Sequence, residues 1–156
     1  MENLKQVLLQ KDLSKLQNQC MKSPKLRTYN LISDFPSENC YLTKPLSFVQ
    51  RRAIAKLRLG VLGLRIETGR FERPKKSAAE RICKQCDLNV PESEIHFFLH
   101  CPKHTQLRTN FFAKITSEEI TNLSDLEQLK FLVNNPTMVK STAQLILNCY
   151  DNRIIE

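Results

Sequence analysis

Three cysteines and one histidine, Cys83-Lys-Gln-Cys86, His96 and Cys101, form a C-x2-C-x9-H-x4-C array inside a short stretch of chain. A C-x2-C turn folds the backbone back so that two thiolates aim at one point. An imidazole and a third thiolate from a separate segment complete a soft, closed, four-ligand set of the kind that zinc prefers. The expected cofactor is therefore a structural Zn2+ held by Cys83, Cys86, His96 and Cys101. A second ligand set stays open on spacing alone. His96 and His100 are four residues apart and would share a helix face, which would leave Cys101 as a core residue. Cys101 is preferred because thiolate is the better ligand and Pro102 disfavours helix at the residue before it. His104, after Pro102-Lys103, is read as exposed.

A zinc staple of this type contributes on the order of 10 kcal/mol to the folding of a small module. Four protein ligands leave no position for an activated water, so the site reads as structural and the chain as no enzyme. Clustered carboxylates, a glycine-rich phosphate loop and an aromatic-x-Asp-Asp signature are all missing from the sequence. Cys20, Cys40 and Cys149 are isolated from the array and from each other, and each is read as a small apolar residue. No apolar stretch approaches the ~18 residues of a membrane span. The N-terminal residues lack the basic-then-apolar layout of a secretory signal. The expectation is an intracellular protein, nuclear or cytoplasmic, with no membrane partner.

The net charge of +8 is one-sided. Residues 1–82 hold 17 Lys+Arg against 7 Asp+Glu, residues 83–110 hold 3 against 3, and residues 111–156 hold 4 against 6. A cationic half attached to a near-neutral half suits a polyanionic partner, because neutralised phosphates release counterions. The candidate phosphate contacts are Arg51, Arg52, Lys56, Arg58, Arg65, Arg70, Arg73, Lys75 and Lys76. Each has a bland alternative as part of a solvated face or, for Arg70 with Glu67, an internal ion pair. Phe71 lies among them and is read as a core residue before a platform for an unpaired base.

The periodicity is mainly helical. Residues 1–22 form an amphipathic helix with Leu4, Val7, Leu8, Leu13, Leu16 and Cys20 on mixed three- and four-residue steps. This helix either packs on the domain or carries the chain toward another partner. A basic helical segment follows over 25–80. It holds a short helix near 25–32, a connection over 34–45 with one turn near 38–42, and a helix from about Pro45 to Gly60. The last of these has a buried stripe of Leu46, Val49, Ala53, Ile54 and Leu57. Gly69 is assigned a positive φ, and Ser77-x-x-Glu80 a capping box on one helical turn. The metal module with its following helix spans 81–112, including room for two very short strands, a helical stretch from Ser93, and a helix over 103–115. Residues 113–156 supply two C-terminal helices, 126–133 after Ser124-x-x-Glu127 and 137–150 after Asn135-Pro136. The fold class is thus mainly α, a small helical domain with an embedded CCHC zinc knuckle.

Read together, these blocks carry a family resemblance. Arg52-Ala-Ile-Ala-Lys-Leu-Arg-Leu-Gly60, Leu64-x-Ile-Glu-Thr-Gly-Arg70, Arg81-x-Cys-x2-Cys86, Glu94-x-His-Phe-x-Leu-x-Cys-Pro102 and Leu107-Arg108 resemble the zinc-binding C-terminal region of LINE-type (non-LTR) retrotransposon reverse transcriptase polyproteins. The resemblance covers about residues 25–112. It implies that Cys83, Cys86, His96 and Cys101 are the zinc ligands. It also implies a role in gripping template RNA or target DNA, and a chain that is a fragment or domesticated remnant of a retroelement reading frame. An aromatic residue is usual two places after the Cys-Pro, where this chain has His104. The expected function is a non-catalytic nucleic-acid-binding module, for RNA or DNA. The alternatives are a protein-interaction domain of a larger ribonucleoprotein, docking through its terminal helices, and a remnant without selected function.

Overall fold

The computed structural model describes residues 2–33, 40–115, 120 and 122–153. Among the described residues eight α-helices run in chain order: α1 Glu2–Lys22, α2 Arg27–Ile32, α3 Cys40–Thr43, α4 Phe48–Leu59, α5 Arg65–Thr68, α6 Thr105–Phe112, α7 Asp125–Asn134 and α8 Val139–Asp151. Short 3-10 turns precede α2 and α6 and follow α5, and a π-helical turn occupies His96–His100. Among the described residues the only β pairing is one antiparallel bridge, Ile82 to Pro91. The mainly helical reading holds, and the two short strands reduce to that bridge.

The central pair is α4 against α8, with α2 packed on α4, α7 on α2 and α8, and α6 on α8. In α8 the buried residues are Val139, Thr142, Ala143, Leu145, Ile146 and Cys149, a three-and-four spacing that lines one face. They join Ile54 and Leu57 of α4, Leu129, Leu132 and Val133 of α7, and Phe97 and Phe98 of the π turn in one apolar core. Cys149 is fully buried, as a small apolar residue would be, whereas Cys20 and Cys40 are half-buried.

Two helix starts are set by reciprocal side-chain capping. Ser124 and Glu127 form the expected box at α7. At α4 the same device is built from Ser47 and Gln50, each bonding the other's backbone N–H at 3.2 and 3.1 Å. The helix therefore starts three residues after the expected Pro45, because a capping side chain satisfies two orphan donors and proline none. Val49 then faces solvent, 55% exposed, and the buried stripe is Ala53, Ile54 and Leu57, with Leu46 covered just before the helix.

Three further expectations are corrected. Gly60 (φ +66°) and Gly63 (φ +74°) are left-handed where the chain leaves α4, but Gly69 is right-handed at φ −63°. Gly69 is needed for space instead, since a Cβ there would lie 2.8 Å from the Arg81 side chain. Ser77 and Glu80 do form one capping bond, Ser77 N–H to Glu80 Oε2 at 2.8 Å, yet the segment is a turn and not a helix. The helix after the metal site is preceded by a 3-10 turn over Pro102–His104, so α6 begins at Thr105. The N-terminal helix forms over Glu2–Lys22, but every described side chain from residue 6 to residue 22 is exposed or half-exposed. Its main contacts among the described residues are with α2 and the turn that leads into it.

Candidate metal centre

The ligand atoms of Cys83, Cys86, His96 and Cys101 all lie within 4.8 Å of one another. This group could hold a metal ion. Cys83, His96 and Cys101 are buried and Cys86 is half-buried, so the set is closed toward the interior and reached from one side.

Local backbone chemistry brings the two halves together. The bridge at Ile82 and Pro91 is flanked by Cys83 N–H to Val90 O at 2.9 Å and Glu92 N–H to Arg81 O at 3.1 Å. The intervening loop turns through Asn89 at φ +52°, a conformation that asparagine tolerates better than most residues. Within the C-x2-C turn the Gln85 N–H lies 3.4 Å from Cys83 Sγ, a backbone donor that would stabilise a thiolate.

The second half explains the four-residue gap between His96 and Cys101. In an α-helix of 3.6 residues per turn, positions five apart sit about 140° apart around the axis. The segment is instead wound as a π turn, with Cys101 N–H bonded to His96 O at 2.7 Å, five residues back. The wider turn brings the ends of that interval back to one side. Phe97 and Phe98, inside the turn, point into the core and are buried. The Ser93 hydroxyl accepts the His96 N–H at 3.1 Å and fixes the start. His96 Nε2 ends 3.4 Å from Cys86 Sγ.

His100 is thereby excluded. Its Nε2 is 2.7 Å from Asp125 Oδ2 with about half of its side chain exposed, at the start of α7. The alternative ligand pair depended on α-helical spacing, which the π turn replaces. His104 is also corrected: it is fully buried, and its ring meets Phe97 edge-on at 5.1 Å. Its two ring nitrogens find no hydrogen-bond partner among the described residues. Burial, then the nearby Arg108 and Arg153 charges, push its pKa down to about 4.

The same burial acts on the ligands. It drives the Cys83 thiol up to about 12, raises Cys101, and lowers His96. In the metal-free protein Cys83 and Cys101 therefore keep their protons at neutral pH, and a bound cation would have to displace them. The buried Arg108 lies close enough to Cys101 and Cys149 for their charges to act on it. Its Nη2 donates to Thr105 Oγ1 at 3.2 Å while its Nη1 is buried without a partner.

Two buried carboxylates frame the module and escaped the sequence reading. Glu92 accepts the Arg65 N–H at 2.7 Å and Arg153 Nη2 at 3.0 Å to each oxygen. Glu94 accepts Arg27 Nη2 at 2.5 Å. Isolated acids in a polar stretch give no sequence signal of burial; only the folded positions of the arginines reveal it.

The nine candidate phosphate contacts divide sharply. Arg58 is 2% exposed, bonded to Asn134 and to Ser33 at 2.9 Å, with its guanidinium over the Tyr29 and Tyr41 rings. It ties α4 to α2 and α7 and is no phosphate contact. Arg51 spends its donors on the carbonyls of Tyr41 and Leu42, at 2.9 and 2.7 Å. Arg65 and Lys76 both pair with Glu72, the latter at 2.9 Å, and hold its carboxyl down at about 2. Lys56 lies over the Tyr150 ring. Arg52, Arg73 and Lys75 are exposed and meet no partner among the described residues. Phe71 is not core: it is 71% exposed. Among the described residues no helix is long and apolar enough to cross a membrane. No family model, curated protein or solved structure matches this chain.

Proposed function

We propose that the protein is a non-catalytic, zinc-stapled nucleic-acid-binding module, akin to the C-terminal region of LINE-type reverse transcriptases. The observation that carries the metal half of this reading is the four-ligand group itself. A tetrahedral zinc with sulfur at about 2.3 Å would put its sulfurs about 3.8 Å apart. Ligand atoms no more than 4.8 Å apart reach that by closing about 1 Å or less. Three thiolates and a neutral imidazole give the loaded site a net charge of −1, for which the adjacent buried Arg108 is a counterion. Zinc here would link the Ile82–Pro91 ribbon to the π turn and would leave no coordination position for a reacting water.

The nucleic-acid half rests on the exposed cations Arg52, Arg73 and Lys75, on the charge asymmetry along the chain, and on the family likeness. Zinc stoichiometry by metal analysis, together with affinity for RNA and DNA oligonucleotides against salt, tests both halves. One zinc per chain is expected, lost in Cys101→Ser and retained in His100→Ala. Neutralising about five phosphates of a single strand predicts a log K against log salt slope near −3.5. Zinc in His100-dependent form, or affinity that does not respond to salt, refutes the respective half.

A second reading is favoured by α1, whose Val7, Leu8, Leu9, Leu16 and Met21 are 45–68% exposed. Such a helix suits docking to another protein. Light scattering after size exclusion separates the two, since a module that acts through α1 contacts should lose its partner or self-association when Leu8 and Leu16 become glutamine.

A further inference from the structure

Between α2 and the turn that follows α5 lies a cleft of about 240 Å³. Its walls bring together Lys25, Arg27, Arg70 and Arg81, although these residues are spread over 57 positions of sequence from Lys25 to Arg81. The acids that face them are Glu67, on the cleft wall, and Glu94, which binds Arg27. Four cations against two carboxylates leave the cleft net positive.

The four cations are not equally committed. Arg27 is held by Glu94, and Arg81 donates to the carbonyls of Ile66 and Lys76 at 2.7 and 3.1 Å. Lys25 is exposed and has no partner among the described residues. Arg70 approaches Glu67 only to 3.6 Å, too long for a hydrogen bond, and makes none elsewhere among the described residues. Lys25, and Arg70 with only a long ion pair to Glu67, therefore bring N–H donors free of hydrogen bonds among the described residues to the two sides of one cleft.

Arg70 also touches the next feature. Its guanidinium lies 4.8 Å from the centroid of Phe71, the following residue, over one face of the ring. With 71% of Phe71 exposed, an aromatic surface is held by a cation on one side and presented to solvent beside the basic cleft. A cationic groove bordered by an exposed ring is how single strands are held: phosphates meet the charge and unpaired bases meet the ring. Duplex offers no base face to such a ring.

We propose that this cleft binds single-stranded nucleic acid, with Lys25 and Arg70 on a backbone phosphate and Phe71 stacked on the adjoining unpaired base. The inference rests on the nucleic-acid reading above and assigns it a site and a strand state. The test is fluorescence anisotropy of the zinc-loaded full chain with labelled 12-mers of rU and dT, an abasic dT strand of the same length, and a matched DNA duplex. Phe71→Ala should weaken binding to rU and dT about 5- to 100-fold, the loss of one stacked base. It should leave abasic and duplex binding within twofold, and Phe71→Trp should restore the wild-type affinity. Lys25→Gln should lower the salt slope on single strands by about 0.7. The rU and dT arms distinguish RNA from DNA as the ligand. If Phe71→Ala leaves single-strand affinity within twofold while Arg52→Gln, Arg73→Gln and Lys75→Gln weaken it, the cleft assignment fails and the general reading survives. Tighter binding to duplex than to single strands also overturns the cleft assignment. Absence of binding to every probe overturns both.

Discussion

Replacing Arg153 with methionine is expected to destabilise the protein by about 3 kcal/mol, through a residue far in sequence from the metal ligands. Glu92 is 1% exposed, and its carboxylate is satisfied by the Arg65 N–H and by Arg153. Removing one partner of a buried ion pair strands the other charge, at a cost of about 3–5 kcal/mol. The lower end applies because the Arg65 N–H remains and because Arg153 is itself 15% exposed. Methionine retains apolar stem volume near Tyr150, which Arg153 covers at 5.8 Å, so the loss isolates charge more than packing. For a chain of this size that is a fall of roughly 6–12 °C in Tm. Urea unfolding at a fixed excess of free zinc is the assay, since zinc binding adds to apparent stability and must be held constant. The double variant Arg153→Met/Glu92→Gln removes the stranded charge and should recover about 1–2 kcal/mol relative to Arg153→Met alone. An Arg153→Met protein within 0.5 kcal/mol of wild type would refute the argument, as it would mean that water reaches Glu92 in solution.

His104 sets a pH dependence: its folded pKa of about 4 lies below the ordinary 6.5, so the unfolded chain binds the extra proton between these values. Stability should fall as pH drops from about 6.5 toward 4, by up to about 3 kcal/mol, and urea titrations of His104→Phe should show that portion of the slope removed. Arg108→Met should weaken zinc roughly tenfold in a chelator competition by leaving the loaded site's negative charge uncompensated; unchanged affinity would show that Arg108 is packing alone. Gly60→Ala should cost about 1–2 kcal/mol for the left-handed backbone, and more if Thr28 Oγ1, 2.9 Å from the new Cβ, cannot yield. Thermal unfolding of Gly60→Ala beside Gly63→Ala, where a Cβ meets open space, separates the two contributions.

What the sequence could reveal followed locality. The helices α7 and α8 were legible because the Ser124–Glu127 capping pair of the one and the three-and-four spacing of the other each lie within a few positions of sequence. The ligand set was legible because its chemistry is carried by rare residue types at short range. Cations were legible only as a count. Whether Arg58 faces phosphate or stands between Tyr29 and Tyr41 depends on residues 29 and 17 positions before it, and no local pattern encodes that. The same holds for Glu92, whose partner Arg153 is 61 residues away. Phe71 misled in the opposite direction, since apolar character argues for burial and only the fold leaves it outside.

The π turn joins these two levels. An α-helical segment from Ser93 would favour His96 with His100, the pair that periodicity alone suggests. Adding one residue to the turn rotates Cys101 toward the other ligands and leaves His100 at the surface beside Asp125. Phe97 and Phe98, inside the same turn, are both buried in the core. Their burial, worth about 1.5–3 kcal/mol each, anchors to the core the turn that places the thiol. The core and the metal site meet in a single backbone irregularity: the turn that seats Phe97 and Phe98 also carries His96 and Cys101, and a bound ion would hold that turn against reverting to the α register.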